Sequence, residues 1–106
     1  MIDRIRSRRA FDRLRREGTR VRVDPLWCSF VLDPEISPPR VAFAIGRTVG
    51  PAVARNRLRR RLRAILAATS ELRPGLYLIG TRPAVLELTF GELRDRVGRL
   101  VGDCGP

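Results

Sequence analysis

The chain contains no histidine and no lysine, only two cysteines, and few aromatic residues. Without histidine, the commonest general base and metal ligand is missing, and neither a Ser-His nor a Cys-His nucleophile pair can form. Cys28 and Cys104 stand far apart with no CxxC spacing, so neither a zinc site nor a disulfide framework is suggested. Cys28 reads as core packing and Cys104 as part of a loose tail. No apolar run approaches the roughly 18 residues of a membrane span, and residues 1–9 lack the apolar centre of a secretory signal. A cytoplasmic location is the expectation. The eleven acids are scattered with no paired-metal arrangement, which fits a self-sufficient nuclease poorly.

What is present is positive charge. The net charge is +11 and the pI near 11.7, and all 22 basic residues are arginine. That balance puts a nucleic acid first among partners. GC-rich codon usage accounts for arginine over lysine, but the physical result stands: guanidinium groups bind phosphate bidentately and stack on bases. With 43% hydrophobic and 31% charged residues, the composition is globular. A length of 106 residues gives one domain, 1–106, with a modest core.

The charge is concentrated at 53–63, VARNRLRRRLR, which holds Arg55, Arg57, Arg59, Arg60, Arg61 and Arg63, one asparagine (Asn56) and no acid. At about 100° per residue, Ala54, Leu58, Leu62, Ile65 and Leu66 share one face of a helix. Asn56, Arg60 and Arg63 project opposite, Arg57 and Arg59 flank them, and Arg55 and Arg61 border the apolar stripe. Like charges three and four residues apart repel by some tenths of a kcal/mol per pair, so an external polyanion is needed to neutralise the helix. A membrane-surface helix would carry Trp or Phe on its apolar face, and this one carries Ala, Leu and Ile.

Residues 1–7 read as a loose basic arm. Ser7 can cap a short helix over about 8–17 that Gly18 ends; it carries Arg8, Arg9, Arg13, Arg15 and Arg16 and must lie against something through Phe11 and Leu14. Residues 19–23 and 26–32 read as strands, broken by Asp24-Pro25. Residues 33–39 hold three prolines and form a loop. A third strand, 40–45, points Val41, Phe43 and Ile45 one way and Ala42 and Ala44, with Gly46 beyond, the other. The small set either lies under a covering helix or floors a ligand groove. A loop with Arg47 leads to the arginine helix, which runs to about Thr69; a fourth strand covers 76–80, and 81–88 connects. Thr89 and Glu92 form a capping box for a last helix to about Val101, and 102–106 is a loose tail. The order αβββαβα gives an α+β two-layer sandwich with a four-stranded mixed sheet and a βαβ crossover.

The run Val49-Gly50-Pro51-Ala52-Val53-Ala54-Arg55-Asn56-Arg57-Leu58-Arg59-Arg60 resembles the signature of the bacterial ribonuclease P protein family, Val-Gly-x-Ala-Val-x-Arg-Asn-Arg-x-(Lys/Arg)-Arg. The likeness extends through Arg9-Ala10-Phe11, Gly18-Thr19, 75–80 and the last helix. It implies a left-handed crossover, against the usual hand, and a protein that assists a catalytic RNA in removing the 5′ leader of precursor tRNA. The hydrolysis uses Mg²⁺ and is performed by the RNA; one protein per RNA is expected, with no membrane or DNA partner and no metal site on the protein. The resemblance puts Arg55, Asn56, Arg57, Arg59, Arg60 and Arg63 on the catalytic RNA and nearby leader; Arg47 and Arg61 join them on charge. It puts Phe11, Phe30, Ala44 and Gly46 in a leader cleft, with Arg9 and Arg13 added at its rim. Phe30 either floors that cleft with Ala42 and Ala44 or is ordinary core. No catalytic residue is expected on the protein. Gly46-Arg47-Thr48 replaces a more basic family loop, and Arg15 stands where a second aromatic is common. A structural RNA-binding protein of ribosomal type is the alternative, while a helix-turn-helix DNA binder lacks its preceding helix.

Overall fold

A computed structural model describes residues 1–70 and 72–105; Pro106, the end of the expected tail, lies outside the described residues. Five strands and three helices follow one another as β1 (Asp3–Arg4), α1 (Arg8–Glu17), β2 (Thr19–Val23), β3 (Leu26–Leu32), β4 (Arg40–Ala44), α2 (Ala52–Ala68), β5 (Gly75–Thr81) and α3 (Phe90–Gly102). Short 3₁₀ turns at Arg47–Val49 and Pro83–Glu87 occupy the two segments expected as loops.

The helix ends form where the side chains permit. The Ser7 hydroxyl accepts the Ala10 N–H at 3.1 Å and opens α1. At Thr89 both halves of the capping box form: its hydroxyl accepts from the Glu92 N–H at 3.1 Å, and the Glu92 carboxylate accepts from the Thr89 N–H at 2.8 Å. Gly18 ends α1 where a Cβ would stand 2.2 Å from the Leu14 carbonyl oxygen, so the chain turns into β2 at a spot only glycine fits.

The sheet order is β1-β4-β5-β3-β2. β2 and β3 form an antiparallel hairpin, β3 pairs antiparallel with β5, and β4 runs parallel to β5 across the α2 crossover. The expected four-stranded sheet thus gains a fifth, short strand. Residues 1–7 are not wholly a loose arm: Asp3 and Arg4 pair with Arg40 and Val41, and Ile5 is buried. Apolar Ile2 and Ile5 supply the burial that holds this edge strand against a surrounding run of charge.

Alternation divides the sheet into two faces. On one, Val23, Leu26, Cys28, Phe30, Val41, Tyr77 and Ile79 join Leu58, Leu62, Ile65 and Leu66 of α2 and Leu93, Val97, Leu100 and Val101 of α3 in the main core. On the other, a smaller cluster of Val31, Leu76 and Ile5 packs under Ala10 and Leu14 of α1. The two-layer expectation describes the sheet with α2 and α3; α1 adds a partial layer behind. The tail also differs from expectation. Cys104 is buried in the main core with Cys28, whose thiol donates to the Ser29 carbonyl at 3.6 Å; the neighbouring Cys104 thiol and burial push the Cys28 thiol up.

Candidate RNA interface

The α2 arginines separate into stripes. Arg55, Arg59 and Arg63, each four residues on from the last, lie half-buried on one flank. The Arg55 Nε donates to the Gly50 carbonyl at 3.1 Å, an Arg59 Nη2 reaches the Ile45 carbonyl at 3.5 Å, and the Arg63 guanidinium sits 5.6 Å from the Phe43 ring centroid. This flank overhangs β4 beyond Val41, where β1 no longer covers the strand's outer edge. Arg57 and Arg61 are exposed on the other flank, and Asn56 and Arg60 are exposed between the two. Asn56 accepts from Arg59 at 3.1 Å, which fixes that guanidinium. Among the described residues no carboxylate pairs with any α2 arginine. The helix therefore presents concentrated, unneutralised charge, with Arg47 exposed in the 3₁₀ turn before it.

The second element of the site is the sheet face that α1 only partly covers. α1 enters from the β1 edge and leaves at the β2 edge, so it crosses the strands. The Arg13 guanidinium donates to Asp33, just past the end of β3, at 2.7 Å and lies 3.4 Å from Glu17. That hydrogen bond holds the Asp33 carboxyl below its ordinary range and Arg13 above its own. Phe11, two residues earlier, lies on the opposite flank by helical periodicity. It is partly exposed. At the uncovered strand ends Ala44, Gly80 and Trp27 line up across β4, β5 and β3. Ala44 is exposed and Trp27 half-buried. A Cβ on Gly80 would meet the Trp27 indole at 2.0 Å, so the missing side chain is what seats the ring flat on the sheet. The Arg20 guanidinium lies 4.1 Å from the Trp27 ring centroid, a cation–π contact that also keeps charge at the groove's edge.

Three expectations change. Phe30 does not floor this groove: it pairs with Tyr77, stacks on it at 6.3 Å between centroids, and lies buried in the main core on the other face. The physical reason is the register of β3, where Leu26, Cys28 and Phe30 form the more apolar alternate set and go to the larger core. Trp27 stands in its place and was missed; a bulky residue paired with a glycine inside the neighbouring strand, Gly80, was the available signal. Arg13 is no free rim cation, since Asp33 and Glu17 hold it, and Arg9, one turn earlier, shares its flank away from Phe11. Phe11 on α1 and Ala44 and Gly46 at the end of β4 are all exposed. Among the described residues, no group of three or more His, Cys, Asp or Glu is placed to hold a metal ion.

The family model described as Ribonuclease P matches residues 2–105. The chain belongs to the ribonuclease P protein family. The protein component from Symbiobacterium thermophilum is 36% identical over 104 residues, covering 96% of this chain and 90% of that protein. The component from Micrococcus luteus is 36% identical over 111 residues, covering 92% and 84%. The solved ribonuclease P protein from Thermotoga maritima superposes with a TM-score of 0.85 at 21% identity over 98% of this chain and 99% of that one. At that identity the superposition speaks for the fold, and it agrees with the mixed sheet and helix order above.

Proposed function

We propose that α2 docks on the catalytic RNA of ribonuclease P while the groove beside α1 holds the 5′ leader of precursor tRNA. Family membership makes the chain the protein component of a tRNA-processing ribonuclease whose catalysis resides in its RNA, and disfavours a ribosomal role. The observation that carries the docking assignment is the α2 surface, where six arginines face no carboxylate among the described residues. Displaced counterions supply the driving term for such a surface.

Arg55, Arg59 and Arg63 contact RNA phosphates nearest the β4 edge, Asn56 and Arg60 on the crest, Arg57 and Arg61 on the far flank, and Arg47 at the helix entrance. The leader lies across Ala44 and Gly46, with bases stacking on Phe11 and on the Arg20 guanidinium plane that the Trp27 ring supports. Stacking on aromatic side chains holds unpaired nucleotides with little regard to sequence, as leaders of varied sequence require. Arg20 adds a cation at the far side. The holoenzyme uses Mg²⁺ for phosphodiester hydrolysis; the protein's part is to hold the leader and reduce the repulsion between two polyanions, which lowers the metal demand. One protein serves one RNA, in the cytoplasm.

Reconstitution tests this. The purified protein leaves precursor tRNA intact, and added to ribonuclease P RNA it lowers the Mg²⁺ concentration needed for cleavage. Cleavage by the protein alone, or no change in the Mg²⁺ requirement, contradicts the proposal.

A further inference from the structure

The two flanks of α2 differ in what lies beside them. On the Arg55–Arg59–Arg63 flank the guanidiniums already serve carbonyls and a ring. Arg57 and Arg61, one turn apart, make no hydrogen bond or ion pair among the described residues. They stand at the mouth of a cleft of about 210 Å³ between α2, the Pro83–Glu87 turn and α3. Its walls combine the two guanidinium-bearing side chains with apolar ones, Leu58 and Leu93 being buried and Ala54 and Leu86 more open. No acidic residue lines it. Leu86 stays 44% exposed, and Val53 nearby 71%, so apolar surface is left open to water beside two unneutralised cations.

A mixed slot large enough for one flat group, with apolar side chains on one part of its wall and two cations one helical turn apart on another, has the chemistry of a nucleotide seat. We infer that this cleft takes a single unstacked nucleotide of the docked RNA, its base against Leu86 and Leu58 and its phosphate on Arg57 and Arg61. The inference rests on the RNA-docking reading of α2 and goes beyond it. It makes this flank a place where an extrahelical base is inserted and the other flank a phosphate track. Guanidinium planes also stack on bases, so the two arginines can close over the edge of the inserted ring. Base insertion gives the protein a shape requirement that charge alone lacks. A continuous duplex presents no base to fill the cleft, whereas a bulge or loop does.

Two measurements test it. In methyl-detected NMR of the full chain, adenosine monophosphate shifts the Leu86, Val85 and Leu93 methyl signals, whereas ribose 5-phosphate and inorganic phosphate leave those methyls unmoved. Equal methyl shifts with inorganic phosphate, or none with the nucleotide, overturn the base seat. In complexes with ribonuclease P RNA, Ala54→Phe fills the cleft without touching a charge, and Leu86→Glu sets a carboxylate at its exposed wall. Each weakens RNA binding about tenfold, the loss expected of one well-buried contact, and leaves the ratio of precursor to mature tRNA affinity unchanged. Thermal unfolding of both variants identifies any that fails to fold, and Leu86, being exposed, tolerates replacement. Unchanged RNA affinity in a folded Leu86→Glu overturns the cleft while leaving α2 docking intact, which Arg60→Ala tests separately. Absence of RNA binding by the unsubstituted chain overturns both.

Discussion

The two faces of the sheet obey the same alternation and end in opposite conditions. The face under α2 and α3 is sealed by a large apolar cluster, and its aromatic pair, Phe30 and Tyr77, is buried. The face under α1 is covered by one helix that buries just Ala10 and Leu14, and its aromatic residue, Trp27, keeps part of its ring in solvent beneath Arg20. An aromatic side chain is therefore structural or available for a ligand according to the face its register assigns it, and residue type does not decide. The small residues Ala44 and Gly80 reinforce the difference, because they lower the floor exactly where no helix arrives.

Substitutions that separate the faces test this comparison. The largest effect falls on the sealed face: Phe30→Ala removes a buried ring and costs about 3–5 kcal/mol of stability by chemical denaturation. Where it remains folded, it leaves the preference for precursor over mature tRNA unchanged. A selective loss of precursor affinity would place Phe30 in the leader groove after all. Next comes Trp27→Leu, which keeps apolar packing but removes the ring that supports the Arg20 stacking plane. Precursor binding by the holoenzyme weakens by about 1–3 kcal/mol, mature tRNA binding does not, and equal losses on both would make Trp27 ordinary packing. A smaller effect of the same sign, about 1 kcal/mol at the low end of base stacking, is expected of Phe11→Ala.

The smallest effect concerns how α1 is held. Arg13 keeps Asp33 ionised below the ordinary carboxylate range, so the folded state binds this proton less readily than the unfolded chain. The tether's contribution is present above the ordinary range and is lost as pH falls through the depressed value. Asp33→Asn should abolish that part of the acid sensitivity, seen as a smaller drop in unfolding temperature on acidification. An unchanged pH profile would show that Asp33 does not hold α1.

Much of this was legible in the sequence because local rules acted alone. Ser7, Gly18, Thr89 and Glu92 set helix ends through contacts within four residues, and the apolar period of 54–66 fixed which side of α2 is buried. The concentrated charge of α2 was equally plain, since no acid interrupts it. What escaped depended on partners distant in the chain. β1 exists because β4 offers two residues of free edge, and its own composition reads as a charged arm. Cys104 is buried in a core whose other members, Cys28 among them, lie far upstream. The exchange of Trp27 for Phe30 came from strand register, where a shift of one residue reverses every side chain. Arg13 looked free because Asp33 lies twenty residues on, across the hairpin.

The central claim is that the leader lies on the face beside α1 and the main-core face stays sealed. Cysteine introduced singly at Ala44 on the groove floor, or at Gly98 on the exposed side of α3, can carry a photoreactive group, while Cys28 and Cys104 are buried. In the reconstituted holoenzyme with precursor tRNA, the Ala44→Cys probe is expected to cross-link to the 5′ leader and the Gly98→Cys probe is not. Leader cross-links from Gly98→Cys with none from Ala44→Cys would contradict the account.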